Sequence, residues 1–399
     1  MRVLGTLKLF IMNLVRHINL LISLGLCCVM SGSCLPGEEI PDSGRKPDNG
    51  GQPEVPENIM TAVFRPGERG YAYFRIPASV VSQEGTIMVF AEGRVDNSED
   101  YGNIDIVLKR SFDGGKSWDE LCVVADDSGN RCGNPVPVVL ESGKILLVYS
   151  WSKTGEEATV NDVVYTVFSE DDGKTWSSPV DITSQIKGNG DSNFHSGPVH
   201  GIVKTFEPHK GRIIVPMWGS SPKAFVIYSD DDGLSWHKGG AASYEKSNES
   251  TVAELGNGDI IMNSRNGDKS NYYRYDAVSE DGGETFLPSR QTSLIEPVNG
   301  CQGSLLRHSV GPQTKETVLL FCNPNHTSSR RHGTIKASFD SGKTWSKMYQ
   351  FVPSEGDGMY TSYSDMVLLS ETVIGVVYEA GFKNGGGLVF KTVKYSDLK

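Results

Sequence analysis

The sequence predicts an all-β protein, a six-bladed β-propeller, from a repeated turn motif, its spacing and the abundance of turn residues. One eight-residue pattern, Ser-x-Asp-x-Gly-x-Ser/Thr-aromatic, occurs five times. The copies begin 58, 60, 50 and 59 residues apart, at Ser111, Ser169, Ser229, Ser279 and Ser338. A period of this size is typical of proteins built from one repeated structural unit. The 45 glycines and the short runs of Val, Ile and Tyr favour strands joined by tight turns.

Each copy of the motif follows a strand-like run, and a sixth such run reaches Ser396, another 58 residues along the chain. This last unit lacks the glycine and the aromatic residue, so we interpret it as truncated. Residues 57–399 divided among six units give about 57 residues each, which suits a four-stranded blade with its loops. A propeller often completes its last blade with a strand from the other end of the chain, and Asn58 to Arg65 is the predicted closing strand.

The motif has the chemistry of a turn. Its aspartate can accept hydrogen bonds from backbone amides two residues on, and its glycine tolerates a positive φ angle. Its aromatic residue is apolar enough to pack beneath the strands. We therefore predict that the motifs are structural turns at a rim away from the reactive site, and that the chemistry comes from residues between them.

The N-terminal region has the pattern of an export signal. Basic residues precede an apolar stretch from Ile18 to Met30 that ends in small residues, so residues 1–34 are predicted to be a signal peptide, with a short membrane anchor as the alternative. Cys34 follows Gly-Ser as in a bacterial lipoprotein cleavage site, which leaves lipid attachment through Cys34 open. Residues 35–56 are rich in Pro, Gly, Asp and Glu and are predicted to be a disordered tether. The protein is thus expected to be exported to the periplasm or cell surface, or secreted.

The net charge, the absence of cofactor-binding motifs and the cysteines limit which ligands and cross-links the sequence allows. The formal net charge of −11 argues against nucleic acid. The sequence contains no glycine-rich phosphate loop, Gly-x-Ser-x-Gly motif or spaced metal-ligand cluster, so we expect neither a metal nor an organic cofactor. Export would permit disulfides among the cysteines beyond the signal region, but spacing does not decide between disulfides and buried thiols. These cysteines are Cys122, Cys132, Cys301 and Cys322.

Several short segments lie between the turn motifs in a recognisable order. They are FRIP at Phe74 to Pro77, FAEGR at Phe90 to Arg94, NESTVAEL from Asn248, GDIIMNSR ending at Arg265, NPNHTSSRR ending at Arg331, SYSDM from Ser362 and VVYEAG around Glu379. In this combination and order they resemble the exo-sialidases (neuraminidases) of the bacterial and animal type. That family consists of six-bladed propellers with the same aspartate motifs, known as Asp boxes or BNR repeats. The resemblance extends from residue 57 to the C-terminus.

The resemblance implies that three arginines grip a substrate carboxylate. Sialic acid carries a carboxylate on the carbon that is attacked, and guanidinium groups bind carboxylates in a planar, bidentate way that lysine does not reproduce. The matching positions are Arg75, Arg265 and Arg330, with Arg331 as the alternative because the doublet leaves the register open by one. Three further positions are expected to support binding: Arg94 near the O4 side of the sugar, Gln302 at the rim of the pocket, and Glu379, which orients Arg75.

A tyrosine nucleophile is the second implication of the resemblance. A neutral phenol is not repelled by the substrate carboxylate, and sialidases are exceptions to the two-carboxylate scheme of glycosidases. The matching tyrosine is Tyr363. Free tyrosine, with a pKa of about 10, is a poor nucleophile at neutral pH, so Glu249 is expected to take its proton. The acid/base that protonates the leaving oxygen is expected at Asp100, in a loop whose other acidic residues are Asp96, Glu99 and Asp105.

The sequence therefore predicts an exo-α-sialidase. It would release terminal sialic acids from glycoproteins, glycolipids or oligosaccharides with retained configuration and without a cofactor. Two alternatives stay open: a non-catalytic sialoglycan-binding propeller with the same repeats, and a trans-sialidase, which differs in how water and acceptor sugars enter. Linkage preference and oligomeric state have no readable pattern in the sequence.

Overall fold

The computed structural model of the protein describes residues 55–154, 163–191, 193–220, 223–352, 360–382 and 385–398. The predicted signal peptide with Cys34, and all but the last two residues of the predicted tether, lie outside these residues. Within the described residues the chain is almost entirely β-structure, with one short helix, α1 (Thr183–Ile186), and two 3₁₀ turns, Glu68–Gly70 and Tyr395–Asp397. None of the helices in this part of the chain is long and apolar enough to cross a membrane.

The described strands form six antiparallel groups, which we call blades 1 to 6. The first strand, β1 (Met60–Phe64), belongs to blade 6. Blade 1 consists of β2 (Tyr73–Val81), β3 (Ile87–Arg94), β4 (Ile104–Ser111) and β5 (Cys122–Ala125). Blade 2 consists of β6 (Arg131–Val139), β7 (Ile145–Ser152), β8 (Val163–Ser169) and β9 (Val180–Asp181). One parallel pair, Ile104 with Arg131, connects these two blades.

Blade 3 consists of β10 (His195–Ser196), β11 (Ile202–Val203), β12 (Ile213–Trp218), β13 (Ala224–Ser229) and β14 (His237–Ala241). Both β10 and β11 pair with β12, so they share the place of the innermost strand. Blade 4 consists of β15 (Ser247–Glu254), β16 (Ile260–Asn266), β17 (Tyr273–Ser279) and β18 (Arg290–Ile295). Blade 5 consists of β19 (Ser304–Val310), β20 (Thr317–Pro324), β21 (Gly333–Ser338) and β22 (Lys347–Gln350). Blade 6 consists of β23 (Ser364–Leu368), β24 (Val373–Phe382), β25 (Gly385–Lys394) and, outermost, β1.

Apolar side chains fill the junctions between successive blades. The cluster between blades 1 and 2 includes Phe90 and Leu147, and corresponding clusters lie at the next four junctions. A further cluster joins blade 6 to blade 1 and includes Phe74 and Phe390, both fully buried. Because the last blade packs against the first, the described strands close into a ring, which fits the predicted propeller of six blades.

The predicted closing strand is confirmed. β1 pairs antiparallel with β25, with Met60 opposite Lys391 and Thr61 opposite Phe390. Just before β1, the amide of Ile59 donates to the hydroxyl of Thr392 at 2.8 Å, across 333 residues of sequence. The N-terminal strand is therefore the outer strand of the C-terminal blade, and pairing of the two chain ends completes the ring.

The five turn motifs follow β4, β8, β13, β17 and β21 and share one set of hydrogen bonds. In the last copy, Ser338 Oγ donates to Asp340 Oδ1 at 2.8 Å. The amide and hydroxyl of Thr344 donate to the two oxygens of the same carboxylate at 2.8 and 2.6 Å. Gly342 has a φ of 84°, and its amide donates to Ser338 Oγ. The aspartate thus binds a residue four positions on, not two as predicted, and closes the turn on itself.

Removal of one of these carboxylates is expected to destabilise the propeller. Asp340→Ala deletes the acceptor of three hydrogen bonds, and we expect a loss of about 1–2 kcal/mol in the free energy of unfolding, measured by chemical denaturation. Lys343→Ala is the matched control, because Lys343 is an exposed residue of the same turn and its loss should change stability by less than about 0.5 kcal/mol. Equal stability of Asp340→Ala and the unaltered protein would contradict the structural role of the motif.

The four cysteines within the described residues are thiols and are not joined in disulfides. Cys132, Cys301 and Cys322 are buried, and Cys122 is half-buried. Burial in apolar surroundings raises the pKa of Cys301 to about 11, since desolvation disfavours the thiolate. The spacing of the cysteines in the sequence did not decide between disulfides and thiols, and in the structure these cysteines are thiols.

Candidate active site

The predicted site residues converge at one end of the blades. In an antiparallel blade the start of the innermost strand and the end of the second strand lie at the same end. Glu249 lies near the start of β15 and Arg265 near the end of β16. Tyr363 directly precedes β23, and Glu379 lies near the end of β24. The Asp-box turns follow the third strands and therefore lie at the opposite end, as predicted.

Tyr363, Glu249 and Arg265 form one hydrogen-bonded group. The hydroxyl of Tyr363 donates to Glu249 Oε1. Arg265 Nη1 donates to Glu249 Oε2 at 2.7 Å and to Tyr363 Oη at 2.9 Å. Tyr363 and Glu249 are 6% and 5% exposed. Both oxygens of the buried carboxylate are therefore satisfied, and one of them is positioned to take the phenol proton.

The phenol of Tyr363 is held neutral. Burial raises the pKa of Tyr363 well above its ordinary value, and the negative charge of Glu249 raises it further. The nearby Arg265 and Arg330 oppose these two effects without overcoming them. The neutral phenol is thus the favoured form of Tyr363, and Glu249 is the group placed to accept its proton.

Three guanidinium groups surround Tyr363. Those of Arg75 and Arg330 lie 5.6 and 5.3 Å from the centre of its ring, and that of Arg265 lies at its hydroxyl. Arg330 donates from Nη1 to Ser362 Oγ at 3.0 Å. Such a concentration of positive charge is suited to binding an anionic carboxylate.

The Arg330–Arg331 doublet divides between two places. Arg331 Nη2 lies 2.9 Å from His326 Nε2, and its backbone bridges to Tyr360. The backbone bends at the doublet, where the amide of Arg331 donates to the carbonyl of Ser329 at 3.0 Å, and one member of the doublet reaches Tyr363. Arg330, the favoured candidate in the sequence, is the one that does so.

Glu379 supports Arg75 as expected from the sequence. Its Oε1 accepts from Arg75 Nε at 3.2 Å and from the backbone amide of Ile76 at 3.0 Å. The Glu379 side chain is only 3% exposed, so its carboxylate is a fixed anchor. Arg75 and the backbone of its strand are therefore held to blade 6 by one carboxylate.

Asp100 lies on the surface of the site, in the loop between β3 and β4. Its Oδ1 accepts a hydrogen bond from Arg75 Nη1 and forms an ion pair with Arg94 Nη1, each at 2.9 Å, and its side chain is 67% exposed. Partial burial favours the neutral acid, yet the pKa of Asp100 lies below its ordinary value because the positive charges of Arg75 and Arg94 stabilise the carboxylate. Asp105, which the sequence analysis placed in that loop, lies instead in β4 and is buried. Its Oδ2 accepts a hydrogen bond from Tyr71 Oη at 2.6 Å, and burial raises its pKa to about 7.

Arg94 and Gln302, both predicted to support substrate binding, are buried in the structure. Arg94 is 2% exposed, and its guanidinium donates to Glu92 and to the carbonyls of Ser98 and Glu99. It therefore holds the loop that carries Asp100, because all its visible partners belong to β3 and that loop.

Gln302 also lies elsewhere than predicted. It is 1% exposed, away from the rim, and its amide both donates to the carbonyl of Ser364 and accepts from the amide of Ser364 at 3.0 Å. This pair of bonds resembles a β-ladder and secures the strand that follows Tyr363. We correct the prediction accordingly: Gln302 positions the tyrosine segment.

Two arginines of the site are held by backbone carbonyls that were not predicted from the sequence. The carbonyls of Asn299 and Gly300 accept from Arg265 Nη2 at 3.0 Å and from Arg330 Nη2 at 3.2 Å. Gly300 has a φ of 74°, and a Cβ there would lie 2.3 Å from Arg265 Nε. The Asn299-Gly300 pair is a sequence pattern typical of a turn. The sequence did not indicate that this turn contacts two arginines from other segments.

A cleft of about 390 Å³ lies beside the arginines. Arg75, Arg330, Tyr360 and Ser98 are among its lining residues. Its volume falls in the range of small-molecule sites. Among the described residues no group of three or more His, Cys, Asp or Glu side chains is placed to hold a metal ion.

Comparison with known proteins agrees with this fold. The family model described as a BNR repeat-like domain matches residues 85–376. A sialidase of Bacteroides fragilis (strain YCH46) is 29% identical over 377 residues, covering 86% of this chain and 66% of that protein. A sialidase of Paraclostridium sordellii is 32% identical over 280 residues, covering 63% of this chain and 67% of that protein. A solved Hadza microbial sialidase is 27% identical with a TM-score of 0.74, over 86% of this chain and 69% of the other.

The ring of blades and the repeated motifs define a BNR-repeat β-propeller. Within that class, the chain belongs to the sialidase family. It spans 66% of the length of the Bacteroides fragilis relative.

Proposed function

We propose that the chain is an exo-α-sialidase that hydrolyses terminal sialic acids of glycoconjugates with retained configuration. The observation that carries this proposal is the contact of a buried tyrosine with both a carboxylate and an arginine, Tyr363 with Glu249 and Arg265. Two further arginines above the same ring supply the charge that a carboxylate substrate needs. The likeness to sialidases over most of the chain supports the same substrate class.

Substrate binding rests on charge and on planar geometry. Arg75, Arg265 and Arg330 would hold the sialic acid carboxylate, whose attached carbon is the anomeric carbon. Gripping the carboxylate therefore places the reacting carbon over Tyr363 Oη. Because the same charges also stabilise the carboxylate as the ring flattens toward an oxocarbenium ion, the grip orients the substrate throughout the reaction.

In the first half-reaction the Tyr363 oxygen forms a bond to the anomeric carbon. The phenol proton passes to Glu249, the bond to the leaving sugar breaks, and the protonated Asp100 gives its proton to the departing oxygen. The result is a sialyl-tyrosine, a protonated Glu249 and an ionised Asp100.

In the second half-reaction Asp100 takes a proton from water as the water oxygen attacks the anomeric carbon. The tyrosine oxygen leaves and recovers its proton from Glu249. Two successive inversions give net retention of configuration, and both carboxyl groups return to their starting states.

The test is to incubate the protein with 3′-sialyllactose and follow the products by NMR. We expect free sialic acid, first formed as the α-anomer, with a yield that excess lactose does not divert. Binding without turnover would favour the non-catalytic sialoglycan-binding alternative. Transfer of sialic acid to added acceptor, or an internal anhydro product, would favour a trans-sialidase.

A further inference from the structure

The carboxylate of Asp100 is bound to Arg75, one of the arginines proposed to bind the substrate. Its Oδ1 accepts a hydrogen bond from Arg75 Nη1 and forms an ion pair with Arg94 Nη1, each at 2.9 Å. The arginines are 17% and 2% exposed, whereas the Asp100 side chain is 67% exposed. The fixed partners are therefore the two arginines, and the member of this group that is free to move is the aspartate.

Arg75 cannot grip a second carboxylate in a bidentate way while this contact persists. A guanidinium presents two paired edges, one formed by Nε and Nη2 and the other by Nη1 and Nη2. Nε donates to the buried Glu379, which is 3% exposed and also holds the backbone of Ile76. Nη1 donates to Asp100. Of the two blocked edges, only the one held by Asp100 can be released without breaking a buried contact.

We propose that Asp100 is an internal competitor for the substrate carboxylate, which displaces it from Arg75 and thereby turns it from a counter-ion into a general acid. The inference rests on the proposed function and deepens it, because it couples substrate binding to protonation of the acid. Asp100 keeps Arg94 after displacement, since Arg94 also holds the carbonyls of Ser98 and Glu99 in the same loop.

The charges around Asp100 explain why displacement from Arg75 would favour its protonated form. The positive charges of Arg75, Arg94 and Arg131 all favour the ionised form of Asp100. These arginines also pair with buried carboxylates: Arg75 with Glu379, and both Arg94 and Arg131 with Glu92. A bound substrate carboxylate neutralises Arg75 and adds a negative charge beside Asp100. Both changes raise the proton affinity of Asp100, so substrate binding should be accompanied by proton uptake. An exposed acid with a lowered pKa would otherwise be a poor proton donor at neutral pH.

The test measures binding of 2-deoxy-2,3-didehydro-N-acetylneuraminic acid, a sialic acid analogue that carries the carboxylate but no leaving group. Titration calorimetry in two buffers of different ionisation enthalpy gives both the affinity and the protons taken up. We expect Asp100→Asn to bind the analogue about two- to fivefold more tightly than the unaltered protein at neutral pH, the range expected from losing an exposed ion pair of this kind. At about pH 5 the unaltered protein should take up protons on binding, and Asp100→Asn should not.

Glu99→Gln is the matched control. It removes the same charge from the neighbouring position, but the contact of Glu99 with Arg94 uses its backbone carbonyl, which the substitution keeps. We expect the affinity and proton uptake of Glu99→Gln to equal those of the unaltered protein. Equal affinity of Asp100→Asn and the unaltered protein, without proton uptake by either, would overturn the inference, as would an equal gain for Glu99→Gln. If the unaltered protein binds no analogue at all, the proposed function itself fails, which is a separate result.

Discussion

Tyr363→Phe is expected to lower kcat for an aryl α-sialoside by about a thousandfold or more, because it removes the oxygen that we propose to bond to the anomeric carbon. The substitution keeps the ring on which Arg75 and Arg330 lie. It deletes only the hydroxyl that contacts Glu249 and Arg265. Binding of a sialic acid analogue should therefore persist, and the loss should fall on kcat. Steady-state kinetics with the aryl substrate, together with calorimetric binding, separate the two effects.

Tyr360→Phe is the matched control for that substitution. Tyr360 lies three residues earlier in the same segment, is 41% exposed, and lines the cleft without belonging to the group around Glu249. Loss of its hydroxyl should change kcat by less than about fivefold, an effect of under about 1 kcal/mol. Full activity in Tyr363→Phe, or a larger loss in Tyr360→Phe, would refute the assignment of the nucleophile.

Arg330→Lys is expected to lower kcat/KM by about a hundredfold, since a lysine ammonium cannot reproduce a planar, bidentate grip on a carboxylate. The arginine also donates to Ser362 and to the carbonyl of Gly300, which hold it over the tyrosine ring. A lysine ammonium at this position would reach less far and could not bind Ser362, the Gly300 carbonyl and the substrate carboxylate as well as the guanidinium does. The loss should be accompanied by weaker binding of a carboxylate-bearing analogue, measured by calorimetry.

The neighbouring arginine supplies the control. Arg331 has the same charge and the adjacent sequence position, but its side chain lies against His326. Arg331→Lys should therefore change kcat/KM by less than about threefold, which is within about 0.7 kcal/mol. A large loss in Arg331→Lys with near-normal activity in Arg330→Lys would reverse the assignment of the doublet.

Much of the candidate site was predictable because short motifs keep their order along the chain. Tyr363, Glu249 and Arg265 were identified from three separate segments, and the structure brings them within hydrogen-bond distance. Their proposed chemical roles remain predictions for the kinetic tests. The Arg330–Arg331 ambiguity was resolved only by the path of the backbone, because two adjacent identical residues differ in direction and not in chemistry.

Other parts of the site could not be read from the sequence. Arg94, in the FAEGR segment, and Gln302 were expected from the family resemblance to support substrate binding. The structure buries both, and their hydrogen bonds are directed at the backbone of Ser364 and at the Asp100 loop. A polar side chain serves the ligand or the scaffold according to what surrounds it, and those surroundings come from distant segments.

The sequence by itself determined the repeat, the class of fold and the closing strand. These features follow from local patterns, since a turn motif needs only its own eight residues to close and a strand needs only alternating or buried apolar runs. The tertiary structure decided which arginine of the doublet faces Tyr363, and that Asp100 and Glu379 bind the two edges of one guanidinium. Arg75 and Glu379 lie 304 residues apart, and Tyr363 and Glu249 lie 114 apart. Contacts over such separations depend on closure of the whole ring, which no local pattern specifies.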